Sequence, residues 1–175
     1  MSTETILAAL LFFLPAGVSN MTPVLSKHIP VLRSWNTPLD FGYSWRGVRL
    51  LGQNKTWRGL LTGIVAGTLT GAVVQQAYFT DIHSGLFIAM AASMSAGALI
   101  GDAVESFFKR QRRIPSGKPW FPFDQTDYII GGLLFALPFM IIPLAYIGWI
   151  FGLYFGLHLL TSYIGYRLGL KELPI

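Results

Sequence analysis

The sequence predicts an all-α integral membrane protein of five transmembrane helices, with the N-terminus outside and the C-terminus cytoplasmic. Three observations predict it. The 175-residue chain is 53% hydrophobic and only 12% charged, about half the charged share of an ordinary soluble domain. Its apolar residues fall into five runs, each long enough to cross a bilayer as a helix. Its Lys and Arg residues gather in alternate connections between those runs, as the positive-inside rule describes. The length suits a single transmembrane domain, 1–175, without a separate soluble unit.

The runs cover about 4–21, 59–79, 84–108, 128–145 and 147–168. Spanning helices need about 17 to 25 residues, so the first and fourth are the shortest that qualify. The first run begins with Glu4 and has no basic leader region, which reads as a retained span rather than a cleaved signal. Pro15 is expected to kink it, and Pro138 and Pro143 to kink the fourth. Glycine recurs at every fourth position: Gly63, Gly67 and Gly71; Gly97 and Gly101; Gly148, Gly152 and Gly156. Small residues at this spacing let helices approach closely in lipid, here within the bundle in preference to a homodimer, which stays open. No internal repeat is present, which disfavours a transporter built on inverted halves.

The connection at about 22–58 holds Lys27, Arg33, Arg46, Arg49, Lys55 and Arg58, and that at about 109–127 holds Lys109, Arg110, Arg112, Arg113 and Lys118. Arg167 and Lys171 close the tail, and the remaining connections contain neither Lys nor Arg. Both basic loops are therefore expected in the cytoplasm of a multi-pass protein of the cell membrane, and an odd span count agrees by separating the termini. The net charge of +5 suits anionic lipid or a phosphorylated substrate; nucleic acid is not an expected partner of so apolar a chain. There is no cysteine, hence no disulfide and no thiol nucleophile. His28, His83 and His158 are too scattered for a metal set, and no Ser-His-Asp set is visible. The five Trp residues lie near expected interfaces, as in an aromatic belt.

Chemistry concentrates between Gly101 and Tyr128, where four of the eight acidic and five of the thirteen basic residues lie. On a helix, Asp102, Glu105, Ser106, Lys109 and Arg110 fall at i, i+3, i+4, i+7 and i+8 and share one face, with Ser95 deeper on the same side. An ordinary helix end accounts for Lys109 and Arg110, through a Glu105–Lys109 pair and snorkelling cations. It leaves Asp102 without a partner, and acids inside a membrane are generally kept for function. Asp124 and Asp127 re-enter the membrane as D-x-x-D, where either also suits the start of a helix. Four carboxylates at one depth repel one another unless a cation compensates them. Hard oxygen ligands suit Mg²⁺, which fills its other positions with water and substrate phosphate, and the neighbouring Lys and Arg suit phosphate as well. A second polar cluster, LGQNKTWRG at 51–59, places Asn54, Lys55, Thr56 and Arg58 at the mouth of the second run. Thr56 is positioned to cap that helix, whose N-terminus favours anions. The cluster is not a P-loop, because Gln53-Asn54 stands where Lys-Ser/Thr is required. Attraction of Lys55 and Arg58 to anionic lipid is the plainer alternative.

The segment Ser95–Tyr128 resembles the signature of membrane CTP-dependent cytidylyltransferases that make CDP-activated lipids. That signature joins G-D-x-x-E-S-x-x-K-R, here Gly101 to Arg110, to a downstream D-x-x-D, here Asp124 to Asp127, after a Pro/Gly-rich turn. The short length, the NKTWRG loop and the PWFPFDQTDY turn look most like the archaeal branch, CDP-archaeol synthase. The longer CDP-diacylglycerol synthases carry His-Gly-Gly where this chain has Phe121-Pro122-Phe123. The resemblance implies that CTP and an unsaturated dialkyl-glycerol 1-phosphate react to give a CDP-lipid and pyrophosphate. It implies Mg²⁺ as one or two ions on Asp102, Asp124 and Asp127, with Glu105 a direct or outer ligand, and Lys109 beside them in the catalytic set. Asn54, Lys55, Thr56, Arg58, Ser106, Arg110 and Lys118 would bind the nucleotide and its phosphates, and glycine-lined grooves would admit the isoprenoid chains. Two other readings use the same residues. A CDP-alcohol phosphotransferase is disfavoured because its D-x-x-D-G-x-x-A-R run is missing. A small cation or phosphate transporter is disfavoured because polar groups gather on one side only.

Overall fold

The computed structural model describes residues 3–170, 173 and 174, so Lys171 lies outside the described residues. Five helices follow one another: α1 (Thr3–Ser26), α2 (Trp57–Ala77), α3 (Ser84–Gln111), α4 (Phe123–Ala136) and α5 (Leu144–Arg167). A two-stranded hairpin, β1 (Ser44–Trp45) and β2 (Val48–Arg49), sits in the first long connection. Four helices, α1, α2, α3 and α5, are long and apolar enough to cross a membrane. The all-helical membrane class therefore stands.

The fourth segment differs from expectation. It is helical only from Phe123 to Ala136, 14 residues, about 21 Å at 1.5 Å per residue against a hydrocarbon core of about 30 Å. Pro138 and Pro143 end the helix instead of kinking it. Residues 138–143 lack the helical ladder, and Pro143 stands immediately before α5. A proline supplies no backbone N–H and its ring crowds the preceding turn, so two prolines five residues apart leave no room for a helix between them. Pro15, by contrast, lies within a continuous α1, as does Pro23.

Helix seams explain most of the glycines. A Cβ built on Gly63 would stand 2.8 Å from the Ser19 carbonyl oxygen, and one on Gly67 would stand 2.7 Å from that of Pro15. Both distances are below what real carbon contacts tolerate, so α2 reaches α1 only because these positions are bare. Gly97, Gly101 and Gly131 do the same between α3 and α4: a Cβ on Gly131 would lie 3.0 Å from the Gly101 Cα. Gly148, Gly152 and Gly156 have no neighbour within 4 Å of such a Cβ; packing within the chain does not account for the glycines of α5. That helix is held instead by Tyr154, whose ring stacks edge-on to Phe13 at 4.9 Å and whose hydroxyl donates to the Leu10 carbonyl at 2.6 Å. Tyr128 on α4 donates to the Tyr154 carbonyl at 2.7 Å. Each buried hydroxyl thus finds a carbonyl, as a low-dielectric interior requires.

The first connection is folded rather than a tether. Trp45 pairs with Val48 across the two residues Arg46 and Gly47, both at positive φ (52° and 76°), the backbone of a type I′ hairpin. Beyond it, the Leu39 amide donates to the Lys55 carbonyl at 2.8 Å and the Trp57 amide to the Thr37 carbonyl at 3.0 Å. The chain from 52 to 56 is therefore laid alongside 37–40 before α2 begins.

Candidate functional site

The site is built at the end of the bundle that carries the two basic loops. Gly101 lies so close to α4 that a Cβ there would be 3.1 Å from the Asp127 carbonyl carbon. This approach sets Asp102 of α3 and Asp127 of α4 near each other, close enough to interact electrostatically. Two lysines alternate with the acids. Lys55 from the first loop reaches Asp102 Oδ2 in a close ion pair. Lys109 Nζ lies 2.5 Å from Asp124 Oδ1 and 3.7 Å from Glu105 Oε1, so the expected Glu105–Lys109 pair is present but secondary. Asp124 Oδ2 also accepts from the Trp120 amide at 2.5 Å, bracing the turn into α4 rather than capping the helix. Asp127 Oδ1 accepts from the Tyr128 amide at 2.6 Å, while its Oδ2 is buried without a hydrogen-bond partner. Ser106 is buried next to Glu105.

Burial is the largest single influence on the Lys55 pKa and would lower it, but the Asp102, Asp127 and Glu105 carboxylates together outweigh it; the net shift is upward. Lys55 is thus a fixed cation. Lys27, at the start of the first loop, is shifted downward, first by desolvation and then by the Arg58 and Lys55 charges. Opposite responses in two lysines of one loop locate the change of sign. Acid surrounds Lys55, and positive charge surrounds Lys27.

That positive region is a cavity of about 570 Å³ lined by Lys27, Arg33, Asn36, Pro38, Arg49, Gln53, Asn54, Thr56 and Arg58. Four of its nine residues are cationic and none is acidic. It adjoins the carboxylates through the chain itself, because Asn54 and Thr56 line the cavity while Lys55, between them, turns to Asp102. Thr56 caps α2 as expected, its Oγ1 accepting from the Gly59 amide at 3.2 Å. Asn54 Nδ2 donates to Ser116 Oγ at 2.9 Å and so ties the first loop to the second.

The expected residues do not all take the expected posts. The four carboxylates are not gathered into one metal group: among the described residues, no three acidic or histidine side chains form one. Lys55 pairs with Asp102, and Lys109 with Asp124 and Glu105, supplying positive charge that neighbouring carboxylates need. The donor set still fits a hard cation. It is all oxygen, and two buried oxygens, Glu105 Oε1 and Asp127 Oδ2, have no hydrogen-bond partner. Arg58 is buried at 2% exposure, with Nη1 spent on Asn36 Oδ1 at 2.7 Å and on the Leu32 and Arg33 carbonyls at 3.3 and 3.4 Å. It braces the loop as much as it faces the cavity. Arg110 donates to the Pro115 carbonyl at 3.1 Å, and Lys118 is exposed, with no side-chain bond to the site. Lys27, Arg33, Asn36, Arg49 and Gln53 were not singled out by motif. Their common signal was only that five polar residues share the loop that carries NKTWRG.

Comparison with known proteins identifies the family. A family model described as CarS-like, CDP-archaeol synthase, matches residues 2–175. The chain is 38% identical to a CDP-archaeol synthase of Thermococcus kodakarensis, covering 98% of this chain and 97% of the relative. It is 34% identical to that of Pyrococcus horikoshii over 99% of both. A solved structure, described as an intramembrane enzyme for archaeal membrane lipids biosynthesis, superposes with a TM-score of 0.78 at 31% identity, covering 90% of this chain and 94% of that one. The chain belongs to the CDP-archaeol synthase family.

Proposed function

We propose that this chain is a CTP-dependent lipid cytidylyltransferase: it transfers CMP from CTP to an unsaturated archaeal dialkyl-glycerol 1-phosphate, giving CDP-archaeol and pyrophosphate. The observation that carries the reading is the junction at Asn54–Lys55–Thr56, where an acid-free basic cavity meets a carboxylate–lysine cluster at the helix ends. A triphosphate suits the first, and the second suits the reacting phosphorus.

The reaction needs little proton chemistry. A lipid phosphate oxygen is already anionic at neutral pH. It attacks the α-phosphorus of CTP, a new P–O bond forms, and the bond to the β-phosphate oxygen breaks, releasing pyrophosphate. The difficulty is to bring two polyanions together, which is solved by positioning and charge. Arg33, Arg49 and Arg58 line the cavity and offset the triphosphate charge, with Asn54 and Thr56 fixing its orientation. Lys55 and Lys109 are placed to draw the α-phosphate and the lipid phosphate toward the acids. Asp102, Asp124 and Asp127, with Glu105, would hold Mg²⁺, which supplies charge neutralisation at the transferred phosphoryl group.

The basic loops and site face the cytoplasm in this reading, where CTP is available, and α4 with residues 137–143 completes a fifth crossing. Isoprenoid chains would enter from the bilayer beside the bundle. Pyrophosphate release by purified protein, supplied with Mg²⁺, CTP and a geranylgeranylated glycerol 1-phosphate ether, tests the reading. Release that requires both CTP and the lipid is expected; no release with CTP, ATP, GTP or UTP would overturn it.

A further inference from the structure

The first loop contains a carboxylate that the mechanism above does not use. Asp40 belongs to none of the sequence motifs, yet its side chain is only 1% exposed. Oδ1 accepts from Arg49 Nη2 at 2.6 Å and from the Gly42 amide at 3.0 Å. Oδ2 accepts from the Leu51 amide at 3.0 Å and the Gly52 amide at 3.2 Å. One side chain thus joins the start of the hairpin, its second strand and the segment leading to Asn54.

A buried ion pair is weak as a source of stability, because desolvation cancels much of the attraction; what it supplies best is a fixed geometry. The geometry here bears on the cavity in two ways. Arg49 is a wall residue, and with Nη2 pinned its position is set; its Nε is buried without a partner. The Gly52–Lys55 segment is held at both ends. The Gly52 amide rests on Asp40, and the Lys55 carbonyl accepts from Leu39, the residue before Asp40. Gly52 has φ +90° and abuts Arg110, whose Cδ would lie 3.6 Å from a Cβ there. Between these two anchors lie Gln53 and Asn54, which line the cavity, and Lys55 itself turns to Asp102.

We infer that Asp40 is a positioning residue for nucleotide binding: by fixing Arg49 and the Gly52–Lys55 segment, it shapes the cavity wall that receives the triphosphate and presents Lys55 to Asp102. The inference rests on the cytidylyltransferase reading of the cavity. A simple loop brace would affect folding alone, whereas a positioning role separates the kinetic constants.

The test uses the full chain in detergent, with Asp40→Asn, Arg49→Gln and the double variant. Each single variant is expected to raise KM for CTP about 10-fold or more, as loss of a charge-assisted hydrogen bond implies, with kcat falling by a smaller factor than KM rises. The double variant is expected to match the larger single effect, because both act through one pair. Unchanged KM for CTP in folded variants, or fully additive effects, would overturn the inference. Should Asp40→Asn fail to fold, amide exchange at Leu51 and Gly52 in Arg49→Gln decides, because Arg49 itself faces the triphosphate and its KM does not separate the two roles. Amide exchange gives a readout independent of catalysis. Faster exchange at Leu51 and Gly52, with the helix amides unaffected, supports the clamp, and unchanged exchange overturns it. If wild-type protein releases no pyrophosphate, the functional reading fails on its own, and the exchange result still decides whether Asp40 holds the segment.

Discussion

Asp127 is the acid with the least compensation: its Oδ2 is buried and unpartnered, whereas Asp102 and Asp124 each have a lysine. Asp127→Asn keeps the shape and the acceptor for the Tyr128 amide while removing the charge. It is expected to lower kcat at least about 100-fold, the scale of removing one electrostatic group at a transferred phosphoryl, with the melting temperature unchanged; pyrophosphate release and thermal unfolding measure the two. Asp40 predicts a pH effect of definite sign. Burial raises its pKa, but Arg49 and the Leu51, Gly42 and Gly52 amides outweigh it and hold the carboxyl at about 2. A depressed carboxylate stabilises the loop above the unfolded pKa of about 4, and that contribution is lost as pH falls toward 2. Proteolysis of the 40–52 loop should therefore accelerate between about pH 4 and pH 2 and stay constant from pH 5 to 8. The motif residues Asp102 and Lys109 were legible because their spacing marks one helix face, and Asp124 because it opens the D-x-x-D. Asp40 was not, because its partners come from residues 42–52 through hairpin geometry that no short motif records.

Among elements, the α3–α4 seam holds the acids of the proposed site. Gly101→Leu would drive a side chain into the backbone of Asp127, separating Asp102 from Asp127. Overpacking of this kind costs about 1–3 kcal/mol, so the melting temperature and kcat should fall together. Gly152→Leu is the control: with nothing within 4 Å, it is expected to leave the melting temperature within about 1 °C and activity unchanged. The two substitutions read identically in sequence, as glycines spaced by four. Which glycines are contacts is decided by which helices meet. Helix boundaries followed a similar logic. Thr56 and the apolar run after it announced α2, whereas α4 began five residues earlier and ended nine residues earlier than hydropathy suggested. Apolar residues continue past Ala136, but Pro138 and Pro143 forbid the backbone from doing so.

For the whole molecule, the crossing pattern is read out by which side of the membrane reaches each loop. The chain contains no cysteine, so single introduced thiols report unambiguously. With five crossings, a membrane-impermeant reagent added outside intact cells should label Thr3→Cys and leave Gly117→Cys and Leu170→Cys unlabelled until the membrane is opened. Labelling of Thr3→Cys and Leu170→Cys from the same side would reduce the count to four and make α4 a helix that enters without crossing. By itself the sequence determined the membrane class, the alternating basic loops and the acid-and-lysine motif. Composition, charge order and helical spacing are properties of neighbours along the chain. Only the tertiary structure decided that Lys55 belongs with Asp102, that lysines partition the carboxylates, and that the first loop folds into a basic cavity around Asp40. Those pairings join residues up to 47 positions apart. They depend on bare glycines letting α3 meet α4 and on a hairpin returning the chain to Asp40.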